Sequence, residues 1–287
     1  MNQFNTPLRY PGGKGRLTQF VADLIESNGL TGCHYVEPYA GGAGIAVTLL
    51  YLEYASHIHL NDLNRSVHAF WHSVLNEPDE LCRLIHDTVP TMDEWHQQKL
   101  IQTDADASPL ALGFSTFFLN RTNRSGIIKG GVIGGQNQSG EWKLDARLNR
   151  KDLVRRVEKI AGYSSRISLY NLDASELIKK VLPELPQSTL VYLDPPYYVK
   201  GKGLYEDHYR HEDHAAIASL VRTSIQQPWI VSYDNVEPIR ELYSGLRQTM
   251  FGIWYTAGTR YSGKEVMVFC DDLRIPSVIE PSRGIAA

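Results

Sequence analysis

Asp194-Pro195-Pro196-Tyr197 follows the apolar run Thr189-Leu190-Val191-Tyr192-Leu193. That run reads as a buried strand, so the tetrapeptide stands where a strand ends and a loop begins. Open α/β sheets bind ligands at such places. Each residue type has a use there. The Asp194 carboxylate accepts hydrogen bonds from an exocyclic amine. Pro195 and Pro196 stiffen the loop and lack N–H groups, which leaves a backbone carbonyl as a second acceptor. The ring of Tyr197 offers a flat face for a planar base. These parts suit methyl transfer to the amino group of a nucleobase. Taken alone, the same four residues equally fit a strand, a proline turn and a surface tyrosine.

Two further segments carry ligand chemistry. Tyr35-Val36-Glu37-Pro38-Tyr39-Ala40-Gly41-Gly42-Ala43-Gly44 is a strand running into a glycine turn, followed by the helical pattern Ile45–Leu50. Glycines allow close backbone approach to a ligand. The carboxylate of Glu37 suits orienting the turn or meeting a cationic group. The next strand, His57–Leu60, ends in Asn61-Asp62, an acid positioned to bond ribose hydroxyls. Nicotinamide cofactors and S-adenosylmethionine both fit this pattern, although Val47 stands where the dinucleotide fingerprint has a third small residue. At the N-terminal end lies Arg9-Tyr10-Pro11-Gly12-Gly13-Lys14-Gly15. It is not a P-loop, because Leu8 and Gly15 occupy the positions that need glycine and Ser/Thr. It fits either a turn before an amphipathic helix or a segment covering a cofactor, with Lys14 near a carboxylate.

In chain order, the Gly-Gly-Lys segment, the glycine turn after Glu37, the acidic strand end at Asp62 and Asp-Pro-Pro-Tyr at 194–197 resemble the Dam-like group of DNA adenine-N6 methyltransferases, the D12 class or α group. The resemblance covers essentially the whole chain. Tyr10 is a departure, since several relatives carry tryptophan there. The resemblance implies a Rossmann-like α/β fold, S-adenosylmethionine as methyl donor, and duplex DNA as substrate. It implies Tyr10, Lys14, Glu37, Gly41, Gly44, Asp62, Asp173 and Asp194 as cofactor contacts. Asp194 through Tyr197 form the catalytic loop, with Tyr197 stacking on an adenine flipped out of the duplex. Asp173 equally fits a helix N-cap. A cytosine-C5 mechanism is excluded, because no cysteine follows a proline. RNA or protein-glutamine methylation, whose enzymes often carry Asn-Pro-Pro-Tyr, is one alternative; a non-catalytic DNA-binding protein on the same scaffold is another.

The strands that must position these residues read as His34–Glu37, His57–Asn61, Ile167–Tyr170, Thr189–Leu193, Trp229–Ser232, Arg247–Tyr255 and Glu265–Cys270. The last two read as an antiparallel pair closing a mostly parallel sheet. Helical patterns fill Ser66–Asn120 without a strand and interrupt the alternation. The expected division is therefore a catalytic domain of residues 1–65 and 166–287 and a target-recognition insert of residues 66–165. The whole chain carries a net charge of −3, yet Asn120–Arg166 holds eleven basic side chains against four acids, a footprint for phosphates. Its glycine-rich loop, residues 122–140, is long enough to be functional or disordered. Arg121, Asn123, Arg124, Lys129, Gln136 and Asn137 are of types that contact DNA, and Arg, Asn and Gln pair with base edges.

Three scattered cysteines suggest a reducing compartment and neither a zinc site nor a disulfide frame. His208, His211 and His214 come nearest to metal spacing but read as a solvated face, so no metal is expected. No apolar run is long enough for a membrane helix, and Met1-Asn2-Gln3-Phe4 does not begin a signal peptide. A cytoplasmic monomer or weak dimer is expected, with a cognate restriction endonuclease as a possible partner.

Overall fold

The computed structural model of the chain describes residues 5–9, 14–199, 209–255 and 261–276. One seven-stranded sheet has the order β3-β2-β1-β4-β5-β7-β6. Strands β1 (Cys33–Glu37), β2 (Ala55–Asn61), β3 (Ile167–Tyr170), β4 (Thr189–Leu193) and β5 (Trp229–Asp234) pair in parallel. Strand β7 (Tyr261–Phe269) runs antiparallel between β5 and β6 (Arg247–Tyr255). The chain proceeds outward from β1 on one side and from β4 on the other, so the topological switch point lies between them. This is the mixed sheet and closing antiparallel pair expected from the sequence. Residues 256–260 of the expected turn lie outside the described residues.

Strand alternation sorts the side chains into two faces. Val36, Val191, Leu193, Val231, Tyr233, Val266 and Val268 share a core with α8 (Ala174–Lys180), α9 (His211–Ser224) and α10 (Glu237–Leu242). The alternate set includes Tyr35, Tyr192, Ile230, Met267 and Phe269, all buried. Phe269 meets Phe20 of α1 (Thr18–Ser27) edge-on, and α2 (Gly44–Tyr51) packs beside α1. Three polar residues interrupt this second face: Ser232, Asp234 and Glu265, at 0%, 5% and 0% exposure. Of the three histidines read as a solvated face, His211 is exposed, His208 lies outside the described residues, and His214 departs from that reading. It is buried and hydrogen-bonded to the Tyr233 hydroxyl at 3.1 Å, and burial lowers its pKa to about 4.

Contacts divide the chain into two compact units. One comprises Lys14–Leu63 and Arg166–Ala287 with the sheet; the other comprises Asn2–Gly13 and Asn64–Ser165. The second unit holds α3 (Arg65–Asn76), α4 (Pro78–Asp87), α5 (Met92–Thr103), α6 (Pro109–Thr122) and α7 (Arg150–Ala161). Phe70, Trp71, Trp95, Phe114, Phe117 and Phe118 are buried there. Side chains of Asn64, Thr91, Ser108 and Asn149 accept backbone N–H bonds at the starts of α3, α5, α6 and α7. Each such cap stabilises its helix by roughly 1 kcal/mol. The segment before Lys14 groups with these helices and not with the sheet. Asn120 clamps the backbone of Arg9 through both N–H and C=O at 2.7 Å, and Arg156 donates to the Thr6 carbonyl at 3.0 Å.

Candidate active site

Asp194 leaves the end of β4 on the face that carries Tyr192, Ser232 and Glu265, and Lys14 lies beside α1 on that same face. The ammonium of Lys14 donates to both Asp194 oxygens, at 2.8 and 2.9 Å, and to the Tyr197 hydroxyl at 3.1 Å. It also lies 3.5 Å from Glu265 Oε2. Burial opposes the charge on Lys14, but Asp194 and Glu265 outweigh it and hold the ammonium well above the usual lysine range. Ser232 Oγ donates to Asp194 Oδ1 at 2.7 Å and lies 2.9 Å from the Tyr192 hydroxyl. The Asp194 side chain remains 24% exposed, whereas that of Lys14 is 3% exposed. The carboxylate is thus the accessible group of a buried cluster. Asp234 holds the following turn, accepting from the backbone N–H of Tyr198 at 2.9 Å and of Val199 at 3.0 Å.

The structure places Tyr197, expected as an open stacking face, inside the buried cluster. Its residue is 1% exposed, its hydroxyl donates to Glu265 Oε1 at 2.7 Å, and Lys14 Nζ lies 4.9 Å over its ring. No face is open to a base in this conformation. A buried carboxylate, Glu265, and the Lys14 ammonium hold the Tyr197 hydroxyl. Lys14, expected as a cofactor contact, has Asp194 and Glu265 as its ionic partners.

The glycine turn forms at the switch point. Gly41 and Ala43 adopt left-handed φ values of 48° and 45°, and Gly44 begins α2. Glycine carries such a φ without a Cβ clash, so Gly41 suits its position. Asp62, half-buried at the end of β2, braces the turn by accepting from Gly41 N–H at 2.9 Å. Asn61 ties the neighbouring strand ends together, donating to the Pro38 and Leu172 carbonyls at 2.9 and 3.0 Å. Glu37 is buried and accepts from Ala46 N–H, in the first turn of α2, at 3.2 Å. Burial outweighs that bond and raises its carboxyl to about 8. Asp173 caps α8, accepting from Ser175 N–H at 2.8 Å. Glu37, Asp62, Asp173 and Asp194 therefore stand at the C-terminal ends of β1, β2, β3 and β4. Acids and a glycine turn at a helix start suit a cofactor with ribose hydroxyls and cationic groups, so the residues present fit S-adenosylmethionine. Tyr10 lies outside the described residues.

The recognition candidates separate by burial. Arg124, Lys129, Gln136 and Asn137 are exposed. Arg121 and Asn123, expected with them, are buried and bonded within the protein. The Arg121 guanidinium donates to the Pro7 carbonyl, and burial, with Arg156 and Arg9 nearby, lowers its pKa to about 9. Asn123 is wholly buried, accepts from Trp95 Nε1 at 2.7 Å, and donates to the carbonyls of Ile127 and Ile128. The loop is accordingly built. Gln138 ties Ile133, Gly135 and Leu144 together, and Gly126 lies where a Cβ would collide with the Arg9 carbonyl. Among the described residues no three metal-ligating side chains gather, and no helix is long and apolar enough to cross a membrane.

Sequence reasoning missed Ser232, Asp234 and Glu265. A signal was present for the last: in Glu265-x-Met267-x-Phe269 a carboxylate occupies an alternation position that is otherwise apolar.

The family model described as D12 class N6 adenine-specific DNA methyltransferase matches residues 10–260. No curated protein sequence matches the chain. Among solved structures, the rRNA methyltransferase aviRa from Streptomyces viridochromogenes is similar at 12% identity and a TM-score of 0.40, over 90% of this chain and 84% of that one. TrmN from Thermus thermophilus is similar at 11% identity and a TM-score of 0.40, over 88% of this chain and 48% of that one. A SAM-dependent methyltransferase from Agrobacterium tumefaciens gives 9% and 0.42, over 89% and 62%. Likenesses this distant say nothing of substrate.

Proposed function

Because the chain belongs to the D12 class N6 adenine-specific DNA methyltransferase family, we propose that it methylates N6 of an adenine flipped out of duplex DNA at a specific sequence. Bound S-adenosylmethionine supplies a methyl group already activated on its sulfonium. The chain's task is to prepare the nucleophile, whose lone pair is delocalised into the purine ring. The observation that carries this reading is Asp194, a partly exposed carboxylate at the end of β4, anchored from behind by Lys14 and Ser232. Asp194 and the Pro195 carbonyl accept the N6 hydrogens and localise the lone pair on nitrogen. Holding both reactants in near-attack geometry supplies much of the acceleration. The base is stacked in duplex DNA, so it must leave the stack to reach this carboxylate. The helical unit reads the target: Arg124, Lys129, Gln136 and Asn137 present exposed donors and acceptors, while Lys151 and Arg155 on α7 suit phosphates.

The test is transfer of a radiolabelled methyl group to duplex DNA, RNA and protein, with the wild type and Asp194→Ala. The expected product is N6-methyladenine in duplex DNA. Asp194→Ala should lower the rate by at least about a hundredfold, with cofactor affinity by calorimetry changed far less. Label entering RNA or protein glutamine instead would overturn the substrate. Absence of transfer to any acceptor, with DNA binding intact, would favour the non-catalytic reading.

A further inference from the structure

We infer that Glu265 is a positioning residue for methyl transfer, setting the Tyr197 hydroxyl and sharing the Lys14 ammonium so that Asp194 can receive the amine. The inference rests on the reading of Asp194 as the acceptor of the N6 hydrogens. Glu265 lies on β7 with no exposure, on the face whose next positions, Met267 and Phe269, are apolar. Burying a carboxylate costs several kcal/mol unless it is paired, so its partners reveal what it is for. Tyr197 Oη donates to it at 2.7 Å, and Lys14 Nζ lies 3.5 Å away. Lys14 binds Asp194 directly, and Tyr197, a member of the same tetrapeptide, accepts from Lys14 at 3.1 Å. Glu265 thus reaches Asp194 through Lys14, both directly and by way of the Tyr197 hydroxyl.

The count of acceptor sites gives this arrangement a consequence. A carboxylate offers about four lone-pair positions. On Asp194, Lys14 takes one on each oxygen and Ser232 takes a further one on Oδ1. About one position, on Oδ2, is left for an incoming amine, and an ammonium held hard against both oxygens draws off their charge and weakens Asp194 as its acceptor. Glu265 provides the ammonium with a second carboxylate within reach, so Lys14 can loosen its hold on Asp194 without becoming an unpaired buried charge. With Gln in place of Glu265, one of the two carboxylates that pair with Lys14 among the described residues is gone, and the ammonium is held at Asp194. The defect would fall on turnover and not on cofactor capture.

The experiment is a double-mutant cycle on the full-length protein, with kcat, the KM for S-adenosylmethionine and a thermal melt for each variant. Glu265→Gln keeps the shape and an acceptor for the Tyr197 hydroxyl while removing the charge. It should lower kcat by about tenfold or more with KM for the cofactor changed less than about threefold. In a Lys14→Met background, which has its own lower rate, the same change should lower kcat less than about twofold, because there is no ammonium left to share. An undiminished kcat for Glu265→Gln, or equal losses in both backgrounds, would overturn the inference. If Glu265→Gln does not fold, Tyr197→Phe tests the same link by removing the hydroxyl. A tenfold loss of kcat there supports the inference, and a wild-type kcat overturns it. A wild type inactive on adenine in DNA would instead sink the reading of the site itself.

Discussion

Replacing Glu37 by glutamine isolates the electrostatics of the glycine turn. Burial raises the Glu37 carboxyl to about 8, against the opposing bond from Ala46 N–H. In an unfolded chain the group titrates at about 4.3. Between these values the folded protein keeps a proton that the unfolded chain has released. Its contribution to stability is therefore fully present below about pH 4.3 and is lost as pH rises through about 8. Each pH unit in the window removes about 1.4 kcal/mol, so passing from pH 5 to pH 8 removes about 4 kcal/mol relative to a glutamine at the same place. For a chain of this size that corresponds to about 10 °C in melting temperature. The assay is the difference between wild-type and Glu37→Gln melts across pH 5 to 8.5, in which titrations common to both proteins cancel. The wild type should lose ground to the variant steadily up to about pH 8 and no further. Parallel profiles would refute the reasoning, since Glu37 would then ionise at its ordinary pH. A second arm uses saturating S-adenosylmethionine. If a cationic part of the cofactor meets Glu37, binding releases a proton, and wild-type affinity should rise from pH 6 to 8 while that of Glu37→Gln stays level.

Three further outcomes are expected. Asp62→Ala should weaken S-adenosylmethionine binding in calorimetry and leave DNA affinity measured without cofactor unchanged, because its carboxylate braces Gly41; unchanged cofactor affinity would remove it from the site. Asn123→Ala should destabilise the helical unit by about 1–3 kcal/mol in denaturant melts, since it removes the acceptor of the buried Trp95 Nε1–H and one of the donors to each of the Ile127 and Ile128 carbonyls; a loss of base discrimination with unchanged stability would instead support it as a DNA reader. Arg124→Ala or Gln136→Ala should relax discrimination at particular positions of the mapped site by about 1–3 kcal/mol, whereas Lys151→Ala should weaken binding to all sequences alike and flatten its salt dependence. Identical profiles for the two kinds of variant would show that the loop does not read bases.

Much of the scaffold was legible because its causes are local. The apolar run before Asp194, the Asn-Asp end of β2 and the glycine turn after Glu37 each announce a strand end, and strand ends are where an α/β sheet places its ligands. Ile167–Tyr170, Thr189–Leu193 and Arg247–Tyr255 match their observed strands, and Asp173 declares its cap through the residues that follow it. The order of the four signatures was enough to recognise the family. Within the site, residue type was a poorer guide. Tyr197 reads as a stacking face beside a proline turn, yet it is buried by Lys14, 183 positions away, and by Glu265, 68 positions away. Arg121 and Asn123 have the chemistry of DNA readers, but the amino-terminal segment and Trp95 claim their donors and acceptors.

The sequence by itself therefore determined the fold, the family and the strand ends that carry the acids, because periodicity, caps and turn chemistry act over a few neighbouring residues. Only the tertiary structure decided which polar groups face outward and which are consumed holding the site together. That division is set by burial, and burial depends on partners brought in from distant parts of the chain.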